Sequence, residues 1–136
     1  MEILPKNKLL DLSGKTAIVT GGSLGIGYGI SYRLAEAGAN VVIASRNIDE
    51  AKNAVGELTQ KGFKAFAIKT DVSKEDEVRN LVVESIKQFG AIDILVNNAG
   101  IFPYITVSQM KTEQFDQVIA INLRGVFLTI KYIGEQ

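Results

Sequence analysis

The sequence predicts an α/β fold, a doubly wound parallel sheet truncated after about four strands and ordered 3-2-1-4. Three observations carry this. Four short apolar runs alternate with segments of helical periodicity, and strands joined by helical crossovers pair in parallel with right-handed connections. Each apolar run ends in polar or glycine residues, at Thr20-Gly21, Ser45-Arg46, Thr70-Asp71 and Asn97-Asn98. The link between the first run and the first helix is glycine-rich, Thr20-Gly21-Gly22-Ser23-Leu24-Gly25-Ile26-Gly27. In the order 3-2-1-4 the switch point lies between strands one and four, where such sheets receive ligands at the carboxyl ends of their strands.

Taken in order, residues 1–14 read as a surface lead-in ending in a turn at Ser13-Gly14. Strand one is Lys15 to Thr20, with the buried-strand run Thr16-Ala17-Ile18-Val19. Helix one runs from Gly25 to Ala37, on the apolar spacing of Ile26, Ile30 and Leu34, and stops at Gly38. Strand two is Asn40 to Ser45. Asn47 then supplies an N-cap with Glu50 three residues later, and helix two continues to Gln60 before Lys61-Gly62. Strand three is Phe63 to Lys69. Ser73 opens helix three in a capping-box-like start, and Val78, Leu81, Val82, Ile86 and Phe89 form one stripe up to Gly90. Strand four is Ile92 to Val96. After a loop with Pro103 and Tyr104, Thr112 caps a last helix from Glu113 to Ile133.

Composition bounds what this arrangement can do. One domain, residues 1–136, accommodates the length and buries a real core. Fifteen basic residues balance fifteen acidic ones, which points away from nucleic acid and membrane surfaces. Without Cys there is no disulfide, thiol nucleophile or cysteine–zinc site, and without His the commonest metal ligand and general base is missing, so no metal site is expected. No apolar run approaches the length of a membrane span. The amino terminus, with Pro5, Lys6, Asn7 and Lys8, does not read as a signal peptide, and a cytoplasmic location is the default.

The glycine-rich turn has a chemical meaning. Unpaired backbone N–H groups and the positive dipole end at a helix start favour a pyrophosphate. Gly21 can make the tight turn, while Gly25 and Gly27 remove the Cβ between backbone and ligand or between helix and strand. The spacing is Gly-x-x-x-Gly-x-Gly, and no Gly-Lys-Ser/Thr of a P-loop follows.

Together with Gly14-Lys15-Thr16-Ala17, Asp71-Val72, Asn97-Asn98-Ala99-Gly100 and Ile121-Asn122-Leu123-x-Gly125, this turn resembles the amino-terminal, cofactor-binding half of the short-chain dehydrogenase/reductase family, across residues 9–132. The resemblance implies a Rossmann-type fold and an oxidoreductase moving hydride between a nicotinamide dinucleotide and a carbonyl or alcohol substrate. It places Gly21, Ser23, Gly25, Ile26, Gly27, Arg46, Asp71, Val72, Asn98, Ala99 and Gly100 at the cofactor. The position after strand two reads Ser45-Arg46-Asn47, with no acid to accept from a ribose 2′-hydroxyl. Arg46 can instead pair with a 2′-phosphate and stack on adenine, which favours NADP(H) over NAD(H); a solvated loop charge is the alternative. Ser23 is a weaker candidate for the adenosine phosphate or ribose. Asp71 accepts from the adenine amino group in the resemblance, or serves as a turn residue ahead of Ser73. Asn98 steadies the sheet centre and lets backbone approach the nicotinamide ribose, or simply ends the strand.

Asn122 interrupts the apolar helix around it, so the expectation is a buried amide with partners. In the family such an Asn holds a water on the proton relay to a catalytic Lys; a helix-kink residue satisfied by backbone is the compatible alternative. The family chemistry also needs Ser and Tyr-x-x-x-Lys, and Tyr28, Tyr32, Tyr104 and Tyr132 are followed at the fourth position by Tyr32, Glu36, Ser108 and Gln136. Whether this stretch turns over by itself therefore stays open, with a non-catalytic dinucleotide-binding or oligomerising module as the second reading. Phe102, Pro103 and Tyr104 either wall a substrate pocket or form only a loop. An apolar edge at strand four and a last helix apolar nearly all round lead to the expectation of a homo-oligomer.

Overall fold

In a computed structural model, which describes residues 10–136, the first apolar run forms β1 (Thr16–Thr20), buried along its whole length. The chain then makes α1 (Gly25–Glu36), β2 (Asn40–Ser45), α2 (Ile48–Gln60), β3 (Ala65–Lys69), α3 (Glu75–Phe89) and β4 (Ile94–Asn97). A 3-10 turn, Val107–Gln109, leads to α4 (Thr112–Ile119), a π-helical segment Ala120–Arg124, and α5 (Gly125–Ile133). The four strands form one parallel sheet in the order β3-β2-β1-β4. The lead-in proposed over residues 1–9 lies outside the described residues. The turn at Ser13-Gly14 is present, with Gly14 at φ 81° and Lys15 N–H donating to Leu12 O.

Alternation along the strands splits the core between the two faces. Ile18, Val42, Ala44 and Ile68 meet Val78, Leu81 and Val82 of α3 and Leu128, Tyr132 and Ile133 of α5. Ala17, Val19, Val41 and Ile43 meet Ala35 of α1 and Ala51, Ala54 and Leu58 of α2. Burying each large aliphatic side chain is worth about 1.5–3 kcal/mol, so the sheet centre holds the helices on both faces. No helix among the described residues is long and apolar enough to cross a membrane.

Several elements differ from expectation for identifiable reasons. α1 buries Gly27, Ser31 and Ala35, a stripe of small residues beside the apolar one, and leaves Ile26 81% exposed. Small side chains let the helix lie close on the sheet, as Ser31 Oγ donating to Gly22 O at 3.1 Å shows. β3 starts at Ala65, because Phe63 N–H closes the end of α2 on Leu58 O with Gly62 at φ 85°. β4 runs from Ile94 to Asn97. The residues before it are tied to β1, where the Asp93 carboxylate accepts from Thr16 N–H at 2.9 Å and Lys15 Nζ at 2.8 Å.

Asn47 caps α2 as expected, accepting from Asp49 and Glu50 N–H. Ser73 does not cap α3; the helix starts after Lys74, and Ser73 instead bonds back to Asp71. Nor does Thr112 cap the last helix: it is the first helical residue, and Gln114 Oε1 accepts from Lys111 N–H. The expected continuous helix over 113–133 is broken by the π-helical segment.

Candidate functional site

A cleft of about 640 Å³ opens at the carboxyl end of the sheet. Residues following all four strands line it: Gly21 after β1, Ser45 and Arg46 at β2, Asp71 and Val72 after β3, and Ala99, Gly100 and Ile101 after β4, with Ile121 of the π-helical segment below. Of the residues proposed from sequence, it thus brings together Gly21, Arg46, Asp71, Val72, Ala99 and Gly100. Ser23, Gly25, Ile26, Gly27, Asn98 and Asn122 do not line it.

Three of those absent residues build the floor. Gly21 stands at φ 64° and Gly25 at φ 54°, backbone states that a Cβ would strain. A Cβ on Gly27 would overlap the Gly21 carbonyl oxygen and stand 2.5 Å from Asn98 Nδ2. The Asn98 side chain is already committed there, donating to Thr20 O at 3.0 Å and Gly21 O at 3.1 Å. Thr20 returns the tie, its Oγ1 accepting from Asn98 and Ala99 N–H at 3.1 Å each. The loop after β1 and the loop after β4 are thereby stitched together at the switch point. Ser23 is buried and donates to Ser45 Oγ at 3.2 Å, so its hydroxyl is spent inside the protein. Gly25 and Ile26 form the exposed first turn of α1, whose N-cap, Leu24, offers no side-chain bond and whose first turn carries no acid. That helix end is thus chemically suited to an anion.

Arg46 is exposed at the cleft rim. Asp71 sits opposite, half-buried. Burial pushes its carboxyl up, but bonds accepted from the Ser73 hydroxyl (2.7 Å) and Ser73 N–H (3.0 Å), with the charges of Arg46 and Lys74, outweigh burial and hold it below the ordinary carboxylate range. Both of those hydrogen bonds fall on Oδ1, so Asp71 fills the turn role while lining the cleft.

Asn122 is exposed, not buried, yet both ends of its amide are paired. Its Oδ1 accepts from Ile101 N–H at 2.9 Å and its Nδ2 donates to Ile101 O at 2.8 Å. A side chain that mimics a strand partner for Ile101 belongs with the local π-helical winding, and such bulges are frequent at functional sites. Phe102, Pro103 and Tyr104 stand outside the main cleft. They line a separate hollow of about 360 Å³, with Phe102 85% and Tyr104 100% exposed.

Thr20 and Gly22 were not singled out from sequence. A Cβ on Gly22 would lie 2.7 Å from Ser31 Oγ and 2.9 Å from Val19 O. The only available signal for either was adjacency to Gly21, since a strand-ending Thr and a second glycine carry no periodicity.

A sequence model of the short chain dehydrogenase family matches residues 15–136. The chain is 44% identical over 123 residues to a 3-oxoacyl-(acyl-carrier-protein) reductase FabG of Staphylococcus epidermidis, covering 90% of this chain and 50% of that protein. The fold is similar to the crystal structure of a short-chain type dehydrogenase/reductase from Mycobacterium marinum, with a TM-score of 0.93 and 38% identity over 97% of this chain and 53% of that one. It is similar also to 3-ketoacyl-(acyl-carrier-protein) reductase from Brucella melitensis complexed with NADH, with a TM-score of 0.83 and 38% identity over 89% of this chain and 49% of that one. The chain spans about half the length of the relatives it matches.

Proposed function

Because the chain belongs to the short-chain dehydrogenase family, we propose that its cleft is the cofactor site of an oxidoreductase that uses NADP(H) in preference to NAD(H) and acts on a carbonyl or alcohol substrate. The observation that carries this is the stitched glycine floor. At Gly27 a Cβ has no room, at Gly21 and Gly25 the backbone takes states open to glycine, and the α1 start beside them carries neither cap nor acid. A backbone surface of that kind fits a dinucleotide pyrophosphate. Carbonyl reduction is supported by the similarity to 3-oxoacyl- and 3-ketoacyl-(acyl-carrier-protein) reductases, one of which was solved in complex with NADH.

When bound, the dinucleotide supplies or accepts the hydride. This chain's own residues bind and orient. Gly21, Gly25, Ile26 and Gly27 present backbone to the phosphates, with Ser23 keeping the loop closed on Ser45. Asp71 accepts from the adenine amino group, and Val72 walls the adenine. Ala99 and Gly100 let the chain approach the nicotinamide ribose, held by Asn98. Asn122 fixes Ile101 and stands where the family places a relay water. Arg46 faces the ribose 2′ position, where a planar guanidinium gives a phosphate two donors and a carboxylate would repel it. No Tyr-x-x-x-Lys occurs in these 136 residues, so proton transfer to the substrate oxygen is assigned to none of them. The exposed apolar side chains of α4 and α5 support a homo-oligomer, and a cytoplasmic location accords with the cofactor.

Fluorescence titration of the chain with NADPH and, separately, NADH tests this. Saturable binding is expected with at least a tenfold preference for NADPH, abolished in Arg46→Asp. Binding of neither cofactor would support the second reading, an oligomerising module, and a preference for NADH would overturn the assignment of Arg46.

A further inference from the structure

The π-helical segment and the first residue of α5 reach Ile101 and Val72, two residues that line the cleft, within the four residues Asn122 to Gly125. On one side Asn122 pairs with both backbone groups of Ile101. On the other, Gly125 lies so near Val72 that a Cβ would fall 2.8 Å from Val72 Cγ2. Arg124, between them, donates from Nη1 to the Ser73 carbonyl oxygen at 2.5 Å, with Nη2 3.8 Å from Glu75 Oε2.

Apart from the packing of Val72 on Gly125, the turn at Asp71–Ser73 is held by hydrogen bonds to residues near it in sequence. Ser73 bonds to Asp71 Oδ1, Lys74 N–H donates to Asp71 O, and Asp71 N–H donates to Glu77 Oε2 at 2.7 Å. Among the described residues, the hydrogen bond that reaches this turn from elsewhere in the chain is that of Arg124.

We propose that Arg124 is a positioning residue for the adenine side of the cleft: by donating to the Ser73 carbonyl oxygen, it holds the Asp71–Ser73 turn in place relative to Ile101 on the opposite wall. This rests on the reading of the cleft as a dinucleotide site. A guanidinium suits the task, because its fork serves a carbonyl and a carboxylate at once and its charge persists at every working pH. Fixing the two walls before a ligand arrives removes part of the ordering cost of binding. Arg124 touches no ligand in this scheme; it acts through Ser73 and Asp71.

The test uses the whole chain with Arg124→Met and Arg124→Lys. Each is titrated with NADPH and with reduced nicotinamide mononucleotide, and amide hydrogen exchange is followed without ligand. Arg124→Met is expected to weaken NADPH roughly tenfold, to leave the mononucleotide unchanged, and to speed exchange across Asp71–Lys74 while the Ile101 amide stays protected. Arg124→Lys, which keeps a charged donor, recovers most of the NADPH affinity. Equal NADPH affinity in wild type and Arg124→Met overturns the proposal, as does equal weakening of both ligands. If the wild type binds no NADPH, the reading of the cleft fails; the exchange rates still decide whether Arg124 holds the turn, and unchanged rates there overturn that as well.

Discussion

The first two βα units and the last one use the same building rules to different ends. From β1 to α2 the chain seals itself: Ala17, Ile18, Val19, Val41, Val42 and Ile43 are fully buried, with helices on one face and α3 and α5 on the other. From β4 to α5 the apolar content is as high but much of it faces outward. Ile94, Leu95 and Val96 are only partly buried, and Phe115, Ile119, Leu123, Phe127 and Ile130 are 53%, 39%, 65%, 60% and 56% exposed. The difference teaches that apolar periodicity reports what a segment is built to meet and leaves open whether the partner is in the same chain.

Four substitutions would break or sharpen that contrast. The largest effect is expected where the core is closed. Ile18→Ala should lower unfolding free energy by about 3 kcal/mol in urea titrations, whereas Phe127→Ala should cost under about 1 kcal/mol if its face is open to solvent. A comparable loss at both sites would mean that Phe127 is covered in solution. Next, Phe127→Lys should shift a multimer to lower mass in light scattering across micromolar concentrations, with secondary structure retained; a wild type that is monomeric throughout this range sinks the expectation of a homo-oligomer.

The smallest effect belongs to Asp71. Its carboxyl titrates below the ordinary value of 3.8 in the folded state. The contribution to stability is therefore present above that ordinary value and fades as pH falls through the lower, folded one. Melting temperature followed from pH 5 to pH 2 should fall more steeply in wild type than in Asp71→Asn; parallel curves would show that the Ser73 bonds add nothing.

Much of this was legible beforehand because the signals were local or periodic. The strand order and the buried faces of β1, β2 and α3 follow from alternation and from stripes such as Val78, Leu81 and Val82. Asn47 capped α2 because an N-cap needs only its own neighbours. Most of what could not be read depends on distant residues. Whether Ser23 faces a ligand or Ser45 and why Thr20 matters are decided by groups 22 and 78 positions away, whereas Ser73 had two local uses, capping α3 or bonding Asp71 two positions earlier, and sequence spacing does not choose between them. α1 misled for a related reason: Ile26, Ile30 and Leu34 give the stronger stripe, but close approach to β1 selects the small side chains next to it. Asn122 was legible as an anomaly and illegible in geometry, since its partner Ile101 lies 21 residues earlier in the chain.

The π-helical turn between α4 and α5 has a consequence for how this stretch tolerates change. An α-helix advances about 100° per residue, so one residue added or removed rotates everything downstream by that angle. The wider winding over Ala120–Arg124 acts as a phase adjustment, setting Leu128, Thr129, Tyr132 and Ile133 toward the sheet while α4 keeps its own bearing. Substitutions within those five residues alter single contacts. A change in their number swings α5 as a unit, and one added residue turns Lys131 toward the core where Tyr132 belongs, so spacing in this stretch is constrained more tightly than side-chain identity.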